Sequence, residues 1–336
     1  MSPESEASAR PLKRRTLLSL AALAGTLPMS VQPSAAATYP AKPVKLVVSY
    51  PPGGTADMLG RIIADGLAKK LGQPFVIDNR PGANGNIGAD AAARSANDGY
   101  TLLLTAPGPL AVNESLFTSL PFNPKTAFAP ITRICTAPLV LVVPSALPIH
   151  NVSELLAYAK AHPKATSYAS QGIASSGHLA MELLKTSTGL QAVHVPYKGA
   201  APALADLVGG QVTMMFDNIS SSLPHVKTGA LRAIAVAEPK RLKVLPGLPT
   251  VAESGVPGFE ATPWFGLVAP AGTPKAIVEA LYADINEILR APGVASKLEQ
   301  MGVEVASDRP EEFARIIASE RVKWQEVVKR SGAKAE

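Results

Sequence analysis

The chain is poor in cysteine, in aromatic residues and in charge. It has one cysteine in 336 residues, so no disulfide can form within the chain. Aromatic residues make up 5% and charged residues 17%, and no basic stripe with interleaved aromatics is present, so we expect no nucleic-acid partner. The apolar neighbours of Cys135, which include Ile131, Ile134 and Leu139, predict a buried structural thiol and not a reactive nucleophile.

Catalytic and cofactor motifs are missing as well. No H-E-x-x-H sequence occurs and the five histidines are scattered, so a zinc site is not expected. The glycine-rich stretches match neither a Walker loop nor G-x-G-x-x-G, so we expect no nucleotide cofactor. Ser175 lies in I-A-S-S-G, which lacks the first glycine of a nucleophile elbow. A helix N-cap is the favoured interpretation of this serine, and an exported hydrolase that uses it stays an alternative.

An apolar run near the start of the chain is too short to cross a membrane. It covers residues 17–27, follows four basic residues between positions 10 and 15, and precedes small residues that end at Ala37. This order is typical of a secretory signal peptide cleaved after Ala37, and it predicts a periplasmic protein. Arg14 and Arg15 also resemble a twin-arginine signal, so the export route stays open.

The rest of the chain is rich enough in apolar residues to build a sizeable core, since 47% of the whole sequence is hydrophobic. Short apolar runs alternate with amphipathic segments, which predicts an α/β fold. Apolar stretches flanked by proline and glycine, at 137–143 and 259–267, indicate two crossings between two domains. We therefore expect residues 38–138 and 262–336 to form one domain and residues 139–261 to form a second, inserted domain.

Local periodicity places individual elements. Apolar runs at 44–49, 75–78 and 100–105 predict strands. Apolar residues at helical spacing over 274–289 and 310–329 predict two long helices that close the chain and pack back on its first half.

Glycines or small polar residues fill three loops that are each predicted to join a strand to a helix, at 51–57, 80–86 and 170–177. The first N–H groups of a helix have no partner within it, and the helix dipole favours negative charge there. Glycine lets a ligand approach the backbone closely because it has no Cβ. Together the three loops predict a site for a small organic anion that does not depend on an arginine clamp.

Five stretches, in order along the chain, resemble one known family: YPPGGTAD, VIDNRPGANGNIGAD, HVPYKGAAPALADLVGGQVTMMFDN, LPTVAESGVPGFE and WFGLVAPAGTP. On these motifs the chain resembles the extracytoplasmic solute receptors of tripartite tricarboxylate transporters, also called Bug receptors. The resemblance implies a fold like that of type II periplasmic binding proteins, in which two α/β domains flank a ligand cleft and are joined by two crossover strands. It implies a small organic carboxylate as ligand, no cofactor, and a monomer that delivers the ligand to a membrane transporter. A membrane sensor kinase is the alternative partner.

The resemblance also implies which residues bind the ligand. They are Gly53, Gly54, Thr55 and Asp57 in the first loop, Ala83, Asn84 and Gly85 in the second, and Ser170, Ser175, Tyr197 and Asp217 in the inserted domain. Asp57 is either a ligand contact or a helix N-cap. Asp217 either accepts a hydrogen bond from the ligand or orients the loop at Asn218.

One loop departs from the family pattern. Members usually carry a polar residue and a second glycine where this chain has Ile173 and Ala174. We therefore expect a more apolar pocket, which favours a mono- or dicarboxylate with an apolar body over citrate. Lys198 is interpreted as a solvated residue, and Trp264 and Phe265 as packing at the hinge.

Overall fold

The computed structural model describes residues 39–331. The predicted signal peptide and its cleavage after Ala37 lie outside these residues. Within them, no helix combines the length and the apolar character that a membrane crossing requires.

Strands and helices alternate along the described chain, as the apolar pattern predicts. The strands are β1 (Val44–Val48), β2 (Phe75–Asn79), β3 (Thr101–Thr105), β4 (Phe128–Thr136), β5 (Leu139–Pro144), β6 (Ser167–Ser170), β7 (Val193–Pro196), β8 (Met214–Asn218), β9 (Leu231–Val236), β10 (Trp264–Pro270) and β11 (Glu304–Val305). The helices are α1 (Thr55–Leu71), α2 (Asn86–Ala93), α3 (Asn113–Leu116), α4 (Val152–Ala161), α5 (Ser176–Thr188), α6 (Ala200–Val208), α7 (Ile219–Lys227), α8 (Lys275–Arg290), α9 (Pro292–Gln300) and α10 (Pro310–Ser331). The two long closing helices that the sequence predicts are α8 and α10.

The first sheet is mixed, with the strand order β11–β4–β10–β3–β1–β2. Strand β1 pairs in parallel with β2 and β3, whereas β10 runs antiparallel between β3 and β4. Successive side chains of a strand point to opposite faces, so Leu46 and Val48 pack with α1 and α8 while Val47 packs with α2 and α10. Both faces of this sheet are therefore covered by helices.

The second sheet has the order β7–β6–β8–β5–β9. Strand β6 is parallel to β7 and β8, and β5 is antiparallel to β8 and β9. All six residues of β5 are buried, which explains why this strand has no polar alternation. Helices α4 and α5 contribute to the core on one face, and α6 and α7 to the core on the other.

The chain crosses between the sheets twice, and the two crossings lie side by side. The first crossing runs from β4 to β5 and the second from β9 to β10. The Ala137 N–H donates to the Pro263 carbonyl at 2.9 Å, and the Ala237 N–H donates to the Leu139 carbonyl at 2.8 Å. The predicted α/β fold with two crossover strands is thus confirmed. The domain boundaries at 138/139 and 261/262 stay a prediction.

Two further predictions concern packing near these crossings. Cys135 is buried in β4, where burial raises the pKa of its thiol to about 12, so it is a structural thiol as predicted. Trp264 is 2% exposed and its ring packs edge-on against Phe313 of α10, with 5.2 Å between centroids. Trp264 therefore serves as packing, whereas Phe265 also borders the cavity described below.

Candidate functional site

A cavity of about 90 Å³ lies where the N-termini of four helices meet. Helix α1 contributes its N-cap Gly54 and the next two residues, and α5 contributes its N-cap Ser175 and Ser176. Helix α6 contributes Gly199 and its first turn, and α7 its N-cap Asn218. Within residues 39–331, the lining consists of Tyr50, Pro51, Pro52, Gly54, Thr55, Ala56, Asn84, Ala106, Gln171, Ser175, Ser176, Lys198, Gly199, Ala200, Ala201, Pro202, Asn218, Pro263 and Phe265.

The electrostatics of this cavity favour an anion. Each helix N-terminus presents N–H groups without an intrahelical partner and carries a partial positive charge. Lys198 adds a full positive charge, and the lining contains no acidic side chain among the described residues. Lys198 is exposed and forms no ion pair within the described part of the chain, so it is both solvated, as predicted, and placed at the cavity.

The first predicted loop reaches the cavity through two of its four candidate residues, Gly54 and Thr55. The Thr55 and Ser220 hydroxyl oxygens are 2.7 Å apart, which joins the first sheet's α1 to the second sheet's α7. Gly53 has a φ of +79°, a left-handed conformation that glycine adopts without steric cost. It shapes the turn but is absent from the lining among the described residues.

Asp57 is turned away from the cavity and is 4% exposed. Its carboxylate accepts hydrogen bonds from the Gly53 N–H at 3.0 Å, from Arg61 at 3.0 Å and from Asn79 at 3.1 Å. Burial alone raises the pKa of this carboxyl, but these donors outweigh burial and hold the pKa below its usual range. The N-cap interpretation is wrong by position, because Gly54 is the N-cap and Asp57 lies in the first turn.

In the second predicted loop, only Asn84 lines the cavity. Ala83 and Asn84 have φ values of +46° and +49°, and Gly85 has a φ of +90°. Asparagine tolerates this left-handed region better than most residues. The Asn84 amide nitrogen donates to the Ala174 carbonyl and to the Asn113 side chain, both at 2.8 Å. The side chain of Asn84 therefore connects its own loop, on the first sheet, to the 170–177 loop of the second.

Ser175, from the second-sheet part of the chain, lines the cavity and caps α5. Its hydroxyl accepts a hydrogen bond from the His178 N–H at 3.3 Å, so the N-cap interpretation is confirmed. The Nδ1 atom of His178 accepts from the Ala174 N–H at 3.0 Å instead of facing Ser175. This geometry provides no support for the alternative in which Ser175 is a hydrolase nucleophile.

Ser170, Tyr197 and Asp217 stand behind the lining. The Ser170 hydroxyl donates to the Gly172 carbonyl at 3.0 Å, and the Tyr197 hydroxyl donates to Asp206 at 2.7 Å. Asp217 is fully buried, and burial raises the pKa of its carboxyl to about 6. It accepts a hydrogen bond at 2.7 Å from Gln171, which lines the cavity. Its contact with Gln171 is to the 170–177 loop, while a hydrogen bond from the Asn218 backbone supports the alternative in which Asp217 orients the loop at Asn218.

Sequence reasoning missed the N-termini of α6 and α7. The signal for α6 is Gly199 followed by Ala200, Ala201 and Pro202, since proline is tolerated in the first turn of a helix. Gly199 has a φ of +120°, and a Cβ there would lie 3.0 Å from Cγ of Pro51. The backbone before α6 therefore lies so close to the loop before α1 that a residue with a side chain at position 199 would be strained.

Ile173 and Ala174, which differ from the family pattern, do not form part of the cavity wall. Neither residue belongs to the lining among the described residues, and Ile173 is 44% exposed. Ala174 has a φ of +66°, where a glycine would be unstrained. The apolar walls come instead from residues outside this pair, such as Pro51, Ala106 and Phe265.

A stack of three aromatic rings supports the 170–177 loop from behind. His178 and His194 lie 4.2 Å apart between centroids, and Tyr168 lies 4.7 Å from His194. Burial, followed by the neighbouring His178, lowers the pKa of His194 to about 4. The hydroxyl of Ser170 lies 2.7 Å from Nε2 of His194. The buried stack thus favours the neutral form of the imidazoles.

We expect His194 to make the protein less stable in acid. The unfolded chain takes up a proton at this residue near pH 6.5 and the folded chain only near pH 4. The free energy of unfolding therefore has its full value above about pH 6.5 and decreases as the pH is lowered from 6.5 to 4. The expected loss is about 1–2 kcal/mol after solvent screening of the half-buried ring. Thermal unfolding at pH 4.5 and pH 7 measures it for the wild type and for His194→Phe, which keeps an aromatic ring but cannot titrate.

The difference between these two proteins is the informative quantity. Burial raises the pKa of the carboxyls of Asp217, to about 6, and Glu238, to about 7, so both contribute a pH dependence of the opposite sign over an overlapping range. Their contribution is common to the wild type and the variant. Parallel stability curves for the two proteins would show that His194 has no role in the acid response.

The chain matches the model of the tripartite tricarboxylate transporter family receptor over residues 59–333. It is 40% identical over 303 residues to the protein BugT of Bordetella pertussis, covering 90% of this chain and 93% of BugT. It is 38% identical over 316 residues to a UPF0065 protein encoded between tcbD and tcbE in Pseudomonas sp. strain P51, covering 94% of each chain.

Solved structures agree with this match. The R. palustris protein Rpa4515 with adipate is 40% identical, with a TM-score of 0.86 over 88% of this chain and 99% of that one. MatC of Rhodopseudomonas palustris with bound malate is 33% identical, with a TM-score of 0.82 over 86% of this chain and 100% of that one. The family model and both relatives span most of the chain, and the chain therefore belongs to the tripartite tricarboxylate transporter receptor family.

Proposed function

We propose that this protein is a periplasmic receptor that binds a small dicarboxylate in the cavity and delivers it to a membrane transporter of the tripartite tricarboxylate type. The observation that carries the proposal is the convergence of four helix N-termini on a cavity with one lysine and no acidic residue in its described lining. Unpartnered N–H groups hold carboxylate oxygens, and the helix dipoles stabilise their charge.

Two carboxylates fit this arrangement better than one. The helix N-termini belong to both halves of the site, since α1 packs on the first sheet and α5, α6 and α7 pack on the second. A ligand with a charge at each end can use donors from both halves, while Pro51, Ala106 and Phe265 offer apolar contact to the carbons between. The relatives solved with adipate and with malate each hold a dicarboxylate, which supports the same class here.

Contacts across the cavity support closure of the two halves over the ligand. The Thr55–Ser220 hydrogen bond joins α1 on the first sheet to α7 on the second, and the Asn84–Ala174 hydrogen bond joins a loop of the first sheet to one of the second. The ligand would lie between two surfaces that also form hydrogen bonds with each other. Hinge motion at the two crossings then gives the ligand a way in and a way out.

Thermal unfolding of the purified protein tests the proposal. The protein is unfolded and refolded first, to remove any ligand that purifies with it, and is then mixed with succinate, malate, adipate, citrate or benzoate. A ligand at about a hundredfold over its Kd stabilises the folded state by about 2.7 kcal/mol, which is several degrees in a protein of this size. We expect a dicarboxylate to give the largest shift.

A matched ligand separates charge recognition from apolar contact. Hexane-1,6-diol has the carbon chain of adipate without its charges, and we expect it to give no shift. Equal shifts for the diol and for adipate would argue against an anion site, and a refolded protein that no carboxylate stabilises would contradict the proposal.

A further inference from the structure

A second concave surface lies on the outside of the first sheet, away from the cavity. It is an open groove of about 1390 Å³ between α1, α8 and α9, and we call it the basic groove. Ile62, Ile288 and Val294 contribute apolar surface to it. Gly66 brings α1 close to α8, since a Cβ at this position would lie 2.6 Å from Cγ2 of Ile288.

Positive charge dominates the lining of the basic groove. Among the described residues, the lining contains two acidic ones, Asp65 and Glu287, and six basic ones: Arg61, Lys69, Lys70, Arg290, Lys297 and Arg309. Three of the basic residues have an acidic partner in this protein. Arg61 pairs with Asp57 at 3.0 Å, Lys69 with Asp65 at 2.8 Å, and Lys70 with Glu287.

The other three basic residues have no such partner in the part of the chain that the structure describes. Arg290, Lys297 and Arg309 are exposed and form no ion pair within the described residues. They come from three separate elements, namely the last turn of α8, the last turn of α9 and the residue before α10. The Arg309 guanidinium lies over the ring of Tyr282, an aromatic residue of the groove, at 5.7 Å from the ring centroid. Three cations without an acidic partner among the described residues therefore line a groove that also has apolar surface.

We propose that the basic groove docks an acidic segment of a partner protein. Carboxylate side chains would pair with the three unpaired cations, and apolar side chains between them would contact Ile62, Ile288 and Val294. Charge complementarity spread over three elements suits a chain that runs along the groove, whereas a small anion would engage one or two of these cations. The proposal stands apart from the identity of the ligand in the cavity.

Peptide binding tests the proposal with the purified protein. The probe is a fluorescent 12-residue peptide of alternating glutamate and leucine, and the matched control peptide has glutamine in place of glutamate. We expect the acidic peptide alone to bind, and its affinity to fall as salt is raised, because exposed charges are screened. Fluorescence anisotropy at low and at physiological ionic strength measures both.

Two double variants distinguish the groove from net charge. Arg290→Glu with Lys297→Glu reverses two unpaired cations of the groove, and Lys160→Glu with Lys164→Glu reverses two exposed lysines at the end of α4. Both change the net charge equally. The groove pair places a glutamate in the last turn of α8 and another in that of α9, and the control pair places one in the last turn of α4. We expect the groove variant to weaken peptide binding about tenfold or more and the control variant to leave it within about twofold.

Other results would overturn the proposal. Equal losses in the two variants would mean that only the net charge attracts the peptide, and equal binding of the glutamine peptide would mean that charge has no part. Vesicles containing phosphatidylglycerol are the third probe, and binding to these without binding to the peptide would assign the groove to a membrane surface. Thermal unfolding checks that both variants fold. If the groove pair does not fold, Arg309→Gln replaces it, with a smaller loss of peptide binding expected because one cation is removed and none is reversed.

Discussion

Replacing Asn84 with aspartate is expected to weaken dicarboxylate binding about a hundredfold or more. The substitution changes one atom type and keeps the side-chain shape, and aspartate also tolerates the φ of +49° found here. It places a negative charge in a lining that otherwise contains no acidic side chain among the described residues. Two unit charges about 5 Å apart repel by about 3 kcal/mol at an effective dielectric constant near 20, which is about a hundredfold in Kd.

The same substitution also affects the contact that joins the two halves of the site. The Asn84 nitrogen donates to the Ala174 carbonyl, and a carboxylate oxygen in its place would face that carbonyl as a second acceptor. The closed arrangement would therefore lose a hydrogen bond and gain a repulsion. We expect the loss of affinity to appear mainly as faster dissociation of the ligand.

Asn123→Asp is the matched control for Asn84→Asp. The Asn123 side-chain oxygen accepts a hydrogen bond from the Lys125 N–H, which aspartate can replace, and the residue lies outside the described lining of the cavity. Isothermal titration with the dicarboxylate that stabilises the wild type compares the three proteins. Unchanged affinity in Asn84→Asp would show that the ligand binds away from this cavity, and an equal loss in Asn123→Asp would show that net charge alone is responsible.

The architecture was predictable because its signals are local. The continuous apolar run of β5 and the helical spacing of α8 and α10 each lie within one element, and each element formed as the pattern indicated. Short elements without such a pattern were not predictable. The π-helical turn Gly108–Val112 is buried at every residue, and its course depends on contacts with α10 and with Asn84 that only the folded chain makes.

The site was predictable in part, because loop-to-helix junctions are visible in the sequence but their convergence is not. The junction before α1 and the junction before α5 reach the cavity as expected. Asp57 and Asp217 were each predicted to be either a ligand contact or a local structural residue, and each accepts a hydrogen bond from a side chain four residues further along the chain, Arg61 and Ser221 respectively. A carboxylate with a donor one helical turn away is satisfied locally, and this spacing is the signal that would have separated structural from ligand-facing acids.

Gly177→Ala is expected to destabilise the protein by about 1–3 kcal/mol and to weaken ligand binding about tenfold. Gly177 is the second residue of α5, and a Cβ there would lie 2.3 Å from the Phe216 carbonyl oxygen of β8. Backbone cannot move aside as a flexible side chain can, so the N-terminus of α5 has to shift. The same Cβ would lie 2.6 Å from Oε1 of Gln171, which would be displaced from the cavity lining.

Gly293→Ala provides the control, because Gly293 is also the second residue of its helix, α9, and a Cβ there meets no atom within 4 Å. Alanine restricts the unfolded chain more than glycine does, so this variant is expected to be as stable as the wild type or up to about 1 kcal/mol more stable. Denaturant unfolding gives both stabilities, and ligand titration of the folded proteins gives the affinities. If Gly177→Ala and Gly293→Ala behave alike, the close approach of α5 to β8 contributes nothing. If Gly177→Ala loses stability but keeps full affinity, the N-terminus of α5 is a packing element and not part of the ligand site.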